Sequence, residues 1–218
     1  MTRKLSKFAD HRFALILAGC YALLWIVLAI RPVDRGDWFL ENLLVLAAVA
    51  LLVFTFPRFQ FSNRTYALLA LFLALHAFGA HYTYAKVPAG FWMQDWLHLN
   101  RNHFDRLIHF AFGLLFAYPL QELLRRVSGG RANWVPWLAL ATLSAMSSFF
   151  EILEAIIAQI VHPDLGTAYL GTQGDIWDAQ KDTAVAILGG VLATAAISVV
   201  RRRRDRAVYR PIARSIPD

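Results

Sequence analysis

Long apolar runs separated by short polar segments make up most of the chain. A helix needs about 20 mostly apolar residues to cross the hydrocarbon core of a bilayer. Six runs have about that length: residues 13–30, 38–56, 66–85, 104–124, 134–161 and 179–200. This pattern predicts an all-α integral membrane protein, with a bundle of six transmembrane helices in one domain over residues 13–200.

The segment between the third and fourth runs predicts one further, shorter helix. Pro88 and Gly90 are followed there by Phe91, Trp92 and Trp96. Aromatic side chains favour the headgroup level of a membrane. We therefore expect an interfacial or re-entrant helix between spans three and four.

The polar stretch HLNRNHFDRLIHF, residues 98–110, follows this segment. Residues three and four positions apart share one face of a helix, so a helical stretch would align five polar side chains. These are His98, Arg101, Asn102, Asp105 and His109. His103 and Arg106 would lie on a neighbouring stripe. An alternative is that Asp105 caps the fourth membrane helix by accepting bonds from its free amides.

Composition supports a membrane protein and says little about redox chemistry. Hydrophobic residues make up 58% of the 218, against about 45–50% in soluble domains. A single cysteine, Cys20, excludes an intramolecular disulfide. The residues LAGC around it resemble a lipoprotein cleavage box, but the apolar run continues well past the cysteine. An uncleaved first membrane helix is the better interpretation.

The positive charge is distributed unevenly between the two faces that six spans would create. Sixteen of the 22 Lys and Arg residues fall on one face, in the N-terminus, loops 57–65 and 125–133, and the C-terminus. Because cytoplasmic loops carry the Lys/Arg excess, we expect both termini in the cytoplasm. Residues 1–12 would be a cytoplasmic N-terminus and 201–218 a basic cytoplasmic tail. Its RRRRDR run suits anionic lipids, and without interleaved aromatics it does not favour nucleic acid.

Polar residues inside the apolar runs predict a shared pocket. Ser144, Ser147, Glu151 and Glu154 recur at helical spacing in span five. Charged residues at the membrane centre cost about 2.5–3.5 kcal/mol each by insertion scales, so they normally face a bundle interior or water. We expect the pocket in the outer half of the membrane. Its catalytic candidates are Asp105, His109, Glu151, Glu154 and Asp182.

Two kinds of ligand suit such a pocket. Guanidinium groups bind phosphate through paired hydrogen bonds, so Arg101 and Arg106 favour an anionic envelope lipid or another phosphate-bearing substrate. The candidate substrate-binding residues are His98, Arg101, His103, Arg106, Gln173, Asp175, Asp178 and Lys181. Histidines with carboxylates suit a divalent metal, for which the candidates are His76, His81, His109 and Glu154.

The sequence leaves the type of activity open. One hypothesis is a membrane-embedded hydrolase or transferase acting on a lipid or phosphate group. The other is a non-enzymatic membrane protein, in which the carboxylates carry protons, support transport or stabilise the bundle.

Four stretches carry a resemblance to a known family. They are HYTYAKVPAG, DWLHLNRNHFDRLIHFAFGLLFAYPLQE, FFEILEA and AYLGTQGDIWDAQKD. With them the chain, from Phe13 to about Val200, resembles the YjdF-like family of bacterial inner-membrane proteins. That resemblance implies a multi-pass protein of the bacterial inner membrane. It implies no reaction, because the family is a domain of unknown function.

A more distant resemblance is to VanZ-like membrane proteins, which are associated with resistance to glycopeptide antibiotics. Their helix start with Asp, a basic residue, His and Phe is similar to Asp105, Arg106, His109 and Phe110 here. The chain departs from their pattern at three positions. Glu154 and Asp182 replace amides, and Val185 replaces a glycine. The resemblance implies a role in the cell envelope, with a more acidic pocket.

Overall fold

The computed structural model describes residues 11–128 and 133–213. Within these ranges the chain forms eight helices and no strand: α1 Arg12–Leu28, α2 Arg35–Thr55, α3 Asn63–His81, α4 Pro88–Leu97, α5 Phe104–Val127, α6 Val135–Ile160, α7 Pro163–Leu170 and α8 Asp178–Ala213. Each of the six apolar runs is helical, which confirms the all-α prediction.

Local sequence explains where several helices begin and end. The Asp34 carboxylate accepts hydrogen bonds from the amides of Gly36 and Asp37 at the start of α2, as an N-cap does. The two short helices start with Pro88 and Pro163, where a missing amide hydrogen costs nothing. α7 stops at Gly171, which has a left-handed φ of 58°, as C-terminal glycines commonly do.

The six long helices run alternately up and down. At one end of the bundle, the Leu28 carbonyl of α1 accepts from His81 Nδ1 of α3 at 2.7 Å. At the other end, the amide of Ser62, before α3, donates to Glu122 of α5 at 2.8 Å. Successive long helices therefore cross the bundle in opposite directions. We refer to the first end, which carries both short helices, as the α4/α7 end.

α5 and α8 pack closely through small residues. A Cβ placed on Gly113 would lie 1.8 Å from the Ala186 carbonyl oxygen, and one on Gly189 would lie 2.3 Å from the Phe110 carbonyl oxygen. Small residues let helix backbones approach in this way. This contact brings the start of α8, which carries Asp178 and Asp182, beside the start of α5.

The outer surface of the bundle is apolar. Large hydrophobic side chains such as Phe54, Trp137 and Ile160 are each more than 70% exposed, whereas several acidic and amide side chains are buried. They include Asp37, Glu41, Asn42, Asn102, Gln121, Asp178 and Asp182. An apolar exterior of this extent suits hydrocarbon rather than water.

Four of the described helices are long and apolar enough to cross a membrane: α2, α5, α6 and residues Asp178–Arg203 of α8. α1 is apolar but has 17 residues. α3 has 19 residues and includes Arg64, His76 and His81, which lower its mean hydropathy. Length and composition therefore support four of the six predicted spans, and the other two stay a prediction.

The structure corrects three local predictions. α4 lies where the interfacial or re-entrant helix was expected, but it ends at Leu97, so the helical stripe from His98 to His109 is interrupted by a loop. Asp105 does not cap α5, because the Asn102 side chain accepts the bond from the Phe104 amide instead. The polar segment between the fifth and sixth apolar runs is not entirely loop, because its residues 163–170 form α7, which packs against α6 and α2.

Part of the charge pattern that predicts orientation lies outside the described residues. Those positions are Arg3, Lys4, Lys7, Arg131 and Arg214. The basic run that starts at Arg201 continues α8 without interruption.

Candidate functional site

An ion-pair network joins the loop before α5 to the start of α8. Arg101 Nη1 donates to Asp178 Oδ1 at 2.5 Å, and Nη2 donates to Oδ2 at 3.3 Å. The same guanidinium donates to the Thr172 and Gly171 carbonyls at 2.7 and 3.2 Å. The Arg101 and Asp178 side chains are only 9% and 6% exposed. This geometry is the paired arrangement that makes arginine–carboxylate contacts strong.

Arg106 extends the network toward the membrane helices. Its Nη2 lies 2.5 Å from Asp175 and 3.0 Å from Asp178, and its Nε lies 3.6 Å from Asp182. Its Nη1 donates to His103 Nδ1 at 3.2 Å. Burial and the charges of Arg106 and Arg101 lower the pKa of His103. The imidazole therefore serves as an acceptor for Arg106.

Asp175 and Gln173 connect the loop before α8 to the same network. Lys181 Nζ lies 2.7 Å from Asp175, and the hydrogen bonds from Lys181 and Arg106 hold the pKa of Asp175 well below its usual range. Gln173 pairs reciprocally with the Asn102 backbone, at 3.1 Å to its amide and 2.9 Å to its carbonyl. Arg101 and Arg106 are therefore both paired with carboxylates of this loop and of the start of α8.

A second group of titratable residues lies one turn deeper. His109 Nε2 is 3.6 Å from Asp105 and 3.4 Å from Glu151. One ligand atom from each of Asp105, His109 and Asp182 lies within 4.8 Å of the others. α5 supplies the first two at helical spacing, and the close α5–α8 contact supplies the third.

A cavity of about 240 Å³ borders this group. Its walls are largely apolar, and its polar residues gather toward the α4/α7 end. The apolar lining includes Leu44, Val45, Ala48, Phe72, Leu73, Ile108, Phe112, Phe116, Met146 and Phe150. The polar lining includes Glu41, His76, Tyr84, Asp105, His109, Ser147, Glu154 and Tyr169.

Part of the cavity wall reaches the apolar surface of the bundle. Leu44 on α2 and Met146 on α6 both line it, and they are 51% and 41% exposed. A molecule could enter between these two helices from the surface that faces hydrocarbon.

His76 has a defined hydrogen-bond geometry in the cavity wall. Its Nε2 lies 3.2 Å from the Glu41 carbonyl, and its Nδ1 lies 2.5 Å from the Tyr84 hydroxyl. A neutral imidazole donates from one nitrogen and accepts at the other. Because a carbonyl only accepts, Nε2 donates to Glu41 and Nδ1 accepts from Tyr84.

The structure distributes the predicted site residues over three places. His76, Asp105, His109 and Glu154 line the cavity, and Glu151 and Asp182 lie beside His109. The network contains Arg101, His103, Arg106, Gln173, Asp175, Asp178 and Lys181. The remaining two lie elsewhere: His98 is exposed after α4, and His81 binds the Leu28 carbonyl.

Sequence reasoning missed several residues of the cavity wall. Glu41 is a carboxylate inside a predicted span, which is by itself a signal for a functional position. Tyr84 and Tyr169 carried no such signal, because tyrosine is common near membrane interfaces. Both tyrosines are buried and line the polar part of the cavity.

Sequence comparisons agree with this description. The family described as "Predicted membrane protein (DUF2238)" matches residues 13–203. The chain is similar to the inner membrane protein YjdF of Escherichia coli (strain K12), with 37% identity over 194 residues, 88% of this chain and 90% of that protein. No solved structure matches the chain. The YjdF-like resemblance is confirmed, and the VanZ-like one stays a prediction.

Proposed function

We propose a function for this chain, which belongs to the DUF2238 family of predicted membrane proteins: it holds an anionic envelope lipid at the outer side of the inner membrane. The lipid chain would occupy the apolar cavity, and the phosphate group would lie at the polar α4/α7 end. The inner membrane is the location that the name of the E. coli relative gives for that protein.

The proposal includes six spans with both termini in the cytoplasm. The alternating directions of the six long helices support an even number of crossings. The Lys/Arg bias supports the orientation. In this arrangement the α4/α7 end is extracytoplasmic, and α4 and α7 lie at the membrane surface.

The observation that carries the proposal is the shape and lining of the cavity. One part is apolar and reaches the surface at Leu44 and Met146, and the other part contains histidine, tyrosine and carboxylate groups. Ligand sites are typically apolar, with a few placed polar groups that orient the ligand. A lipid has the same division between an apolar chain and a polar head.

The polar part of the cavity needs positive charge to accept a phosphate, because its own carboxylates repel one. Arg101 and Arg106 are near, but their Nη atoms are hydrogen-bonded. Only the Nε atom of each lacks a hydrogen-bond partner among the residues that the structure describes. Both Nε atoms are buried, so a headgroup would gain a bond from Nε only after a side-chain rearrangement at the α4/α7 end.

The enzymatic form of this proposal is a membrane-embedded hydrolase or transferase. His109 lies beside two carboxylates, and in the metal-free protein it would accept the proton of an attacking water, the usual role of a histidine general base.

The proposal can be tested by analysing the lipid that purifies with the protein. Ala47 and Ala48 are both exposed on α2, but only Ala48 lines the cavity. Ala48→Phe would therefore narrow the cavity at its exposed edge, whereas Ala47→Phe would add the same ring away from it. We expect extraction and mass spectrometry to show a phosphate-bearing lipid on the wild type and Ala47→Phe, and several-fold less on Ala48→Phe. Equal lipid content in both variants would contradict the proposal.

A second candidate function is proton relay, and one feature favours it. Asp37 is 1% exposed, and neither of its carboxylate oxygens has a hydrogen-bond partner within residues 11–128 and 133–213. Asp37 and Asp105 each interact electrostatically with Glu41, and Glu41 interacts with Glu154. Proton flux into proteoliposomes that is lost in Glu154→Gln, with unchanged lipid content, would favour this candidate over lipid binding.

A further inference from the structure

We infer that Asp105, His109 and Asp182 form a binding site for a divalent cation. The site adjoins the proposed lipid cavity, but its geometry does not require a lipid. The residues differ from the metal candidates chosen from the sequence, with only His109 in common.

The three side chains converge from two helices. Their ligand atoms lie within 4.8 Å of one another, and His109 Nε2 is 3.6 Å from Asp105. Ligand atoms around one zinc ion, each about 2.1 Å from it, are roughly 3–4 Å apart. Small side-chain rotations would therefore bring the three atoms to coordinating distance.

A second observation points to a ligand at this position. Asp182 is 2% exposed, and its Oδ1 has no hydrogen-bond partner in the described part of the chain. Its nearest cationic atom is Arg106 Nε, at 3.6 Å. A buried carboxylate oxygen in this state is costly unless it is paired or coordinates a metal.

Glu151 completes the arrangement from a third helix. Its Oε1 lies 3.4 Å from His109 Nε2, and within the described residues this oxygen likewise accepts no hydrogen bond. Glu151 could serve as a fourth ligand, or it could orient a water in an open fourth position, as in catalytic zinc sites.

The charge balance also favours a cation. Asp105, Asp182 and Glu151 bring three carboxylates to His109, and Asp178 lies near them. Arg106 is shared among Asp175, Asp178 and Asp182, so it offsets only part of this charge. A divalent ion would offset two further charges, and an imidazole–carboxylate set suits zinc or a similar first-row ion.

The test is zinc binding to the purified, chelator-treated full-length protein, measured by calorimetry and by metal content after dialysis. We expect about one zinc per chain in the wild type. In Asp182→Asn we expect the Kd for zinc to rise more than about tenfold, because loss of a residue that only supports a metal ligand already weakens binding by about that factor. His98→Ala is the matched control, because His98 is exposed at the same end of the molecule. It should bind like the wild type.

Absence of stoichiometric zinc from the wild type, or equal affinity in Asp182→Asn, would overturn the inference. Should Asp182→Asn not fold, Asp105→Asn is measured in its place by the same criteria. Visible absorption of the cobalt-substituted protein provides a second readout of nitrogen and oxygen ligation. The lipid content of the chelator-treated protein separates the two proposals: lipid without a zinc site refutes this inference alone, and zinc without lipid refutes the lipid proposal alone.

Discussion

Arg101 joins the loop before α5 to the loop before α8 at the α4/α7 end. One guanidinium holds Asp178 with two bonds and the carbonyls of Gly171 and Thr172 with two more. We predict that Arg101→Ala destabilises the protein by about 1–3 kcal/mol, because the buried Asp178 would keep only Arg106 as a cationic partner and the two carbonyls would lose their donor. Thermal unfolding in detergent measures this.

Lysine offers a direct comparison at the same position. Arg101→Lys keeps the positive charge but cannot form the fork of paired bonds, so we expect an intermediate loss of stability. If Arg101→Ala and Arg101→Lys both unfold like the wild type, the network does not stabilise the protein.

His103 should make stability depend on pH near neutrality. In the folded protein, burial lowers the pKa of His103 most, and the positive charges of Arg106 and Arg101 lower it further. The negative charges of Asp178 and Asp175 raise it, but by less. The unfolded chain, with an ordinary pKa of about 6.5, then binds more protons in this range. The contribution of His103 to the free energy of unfolding is therefore fully present above about pH 6.5. It is lost as the pH falls from there toward the pKa of His103 in the folded protein.

The measurement compares apparent Tm between about pH 7.5 and 5, the range in which histidine titrates. His103→Gln should show a smaller fall in Tm with decreasing pH than the wild type, because glutamine does not titrate. His98→Gln, at an exposed position, should behave like the wild type. Identical pH profiles for His103→Gln and the wild type would show that His103 has no such effect.

At the scale of elements, the contact between α5 and α8 sets the geometry of the site. The Gly113 position meets backbone, since an added Cβ would lie 1.8 Å from the Ala186 carbonyl oxygen. Backbone cannot move aside as a flexible side chain can. We predict that Gly113→Ala destabilises the protein by about 1–3 kcal/mol, the usual cost of overpacking, measured as a lower apparent Tm.

Gly19 on α1 provides the matched control for this substitution. A Cβ there would have nothing within 4 Å in the described part of the chain, so Gly19→Ala should leave Tm unchanged or raise it slightly. A Gly113→Ala variant as stable as Gly19→Ala would mean that the two helices are less closely packed than the structure shows. Because α8 carries Asp182, Gly113→Ala should also weaken zinc binding.

The elements themselves could largely be predicted from the sequence, whereas their connections could not. Each long apolar run became a helix, because length and hydropathy are local properties. The helical spacing of the polar residues around 98–103 does not produce a helix there, because the shape of this loop depends on distant partners: Arg101 binds Asp178, 77 positions away, and Asn102 binds Gln173, 71 positions away. α7 carried no periodic signal in eight residues.

The candidate site could be predicted in part for the same reason. Carboxylates and histidines inside apolar runs are visible in a sequence, and Asp105, His109 and Glu154 line one cavity. The sequence did not show that the arginines are occupied by aspartates, because that depends on how α5 and α8 are aligned. Nor did it separate His81 from His76, since only the fold directs one to a carbonyl and the other to the cavity.

At the scale of the whole molecule, the number of spans and their orientation can be tested together. α3 is the decisive helix, because it lies outside the four that length and composition support. Arg58 precedes it at one end, and His98 follows it at the α4/α7 end; both are exposed. If α3 crosses the membrane, these two positions lie on opposite sides.

Single cysteines at these positions, in a Cys20→Ser background, can be labelled with a membrane-impermeant maleimide in spheroplasts. We expect His98→Cys to react from outside and Arg58→Cys to react only after lysis, because the Lys/Arg excess places the Arg58 loop in the cytoplasm. Arg31→Cys, in the exposed loop between α1 and α2, should react like His98→Cys.

The reverse pattern would invert the proposed orientation and place the cavity's polar part on the cytoplasmic side. Equal labelling of Arg58→Cys and His98→Cys would show that α3 does not cross, and the six-span arrangement would then be wrong.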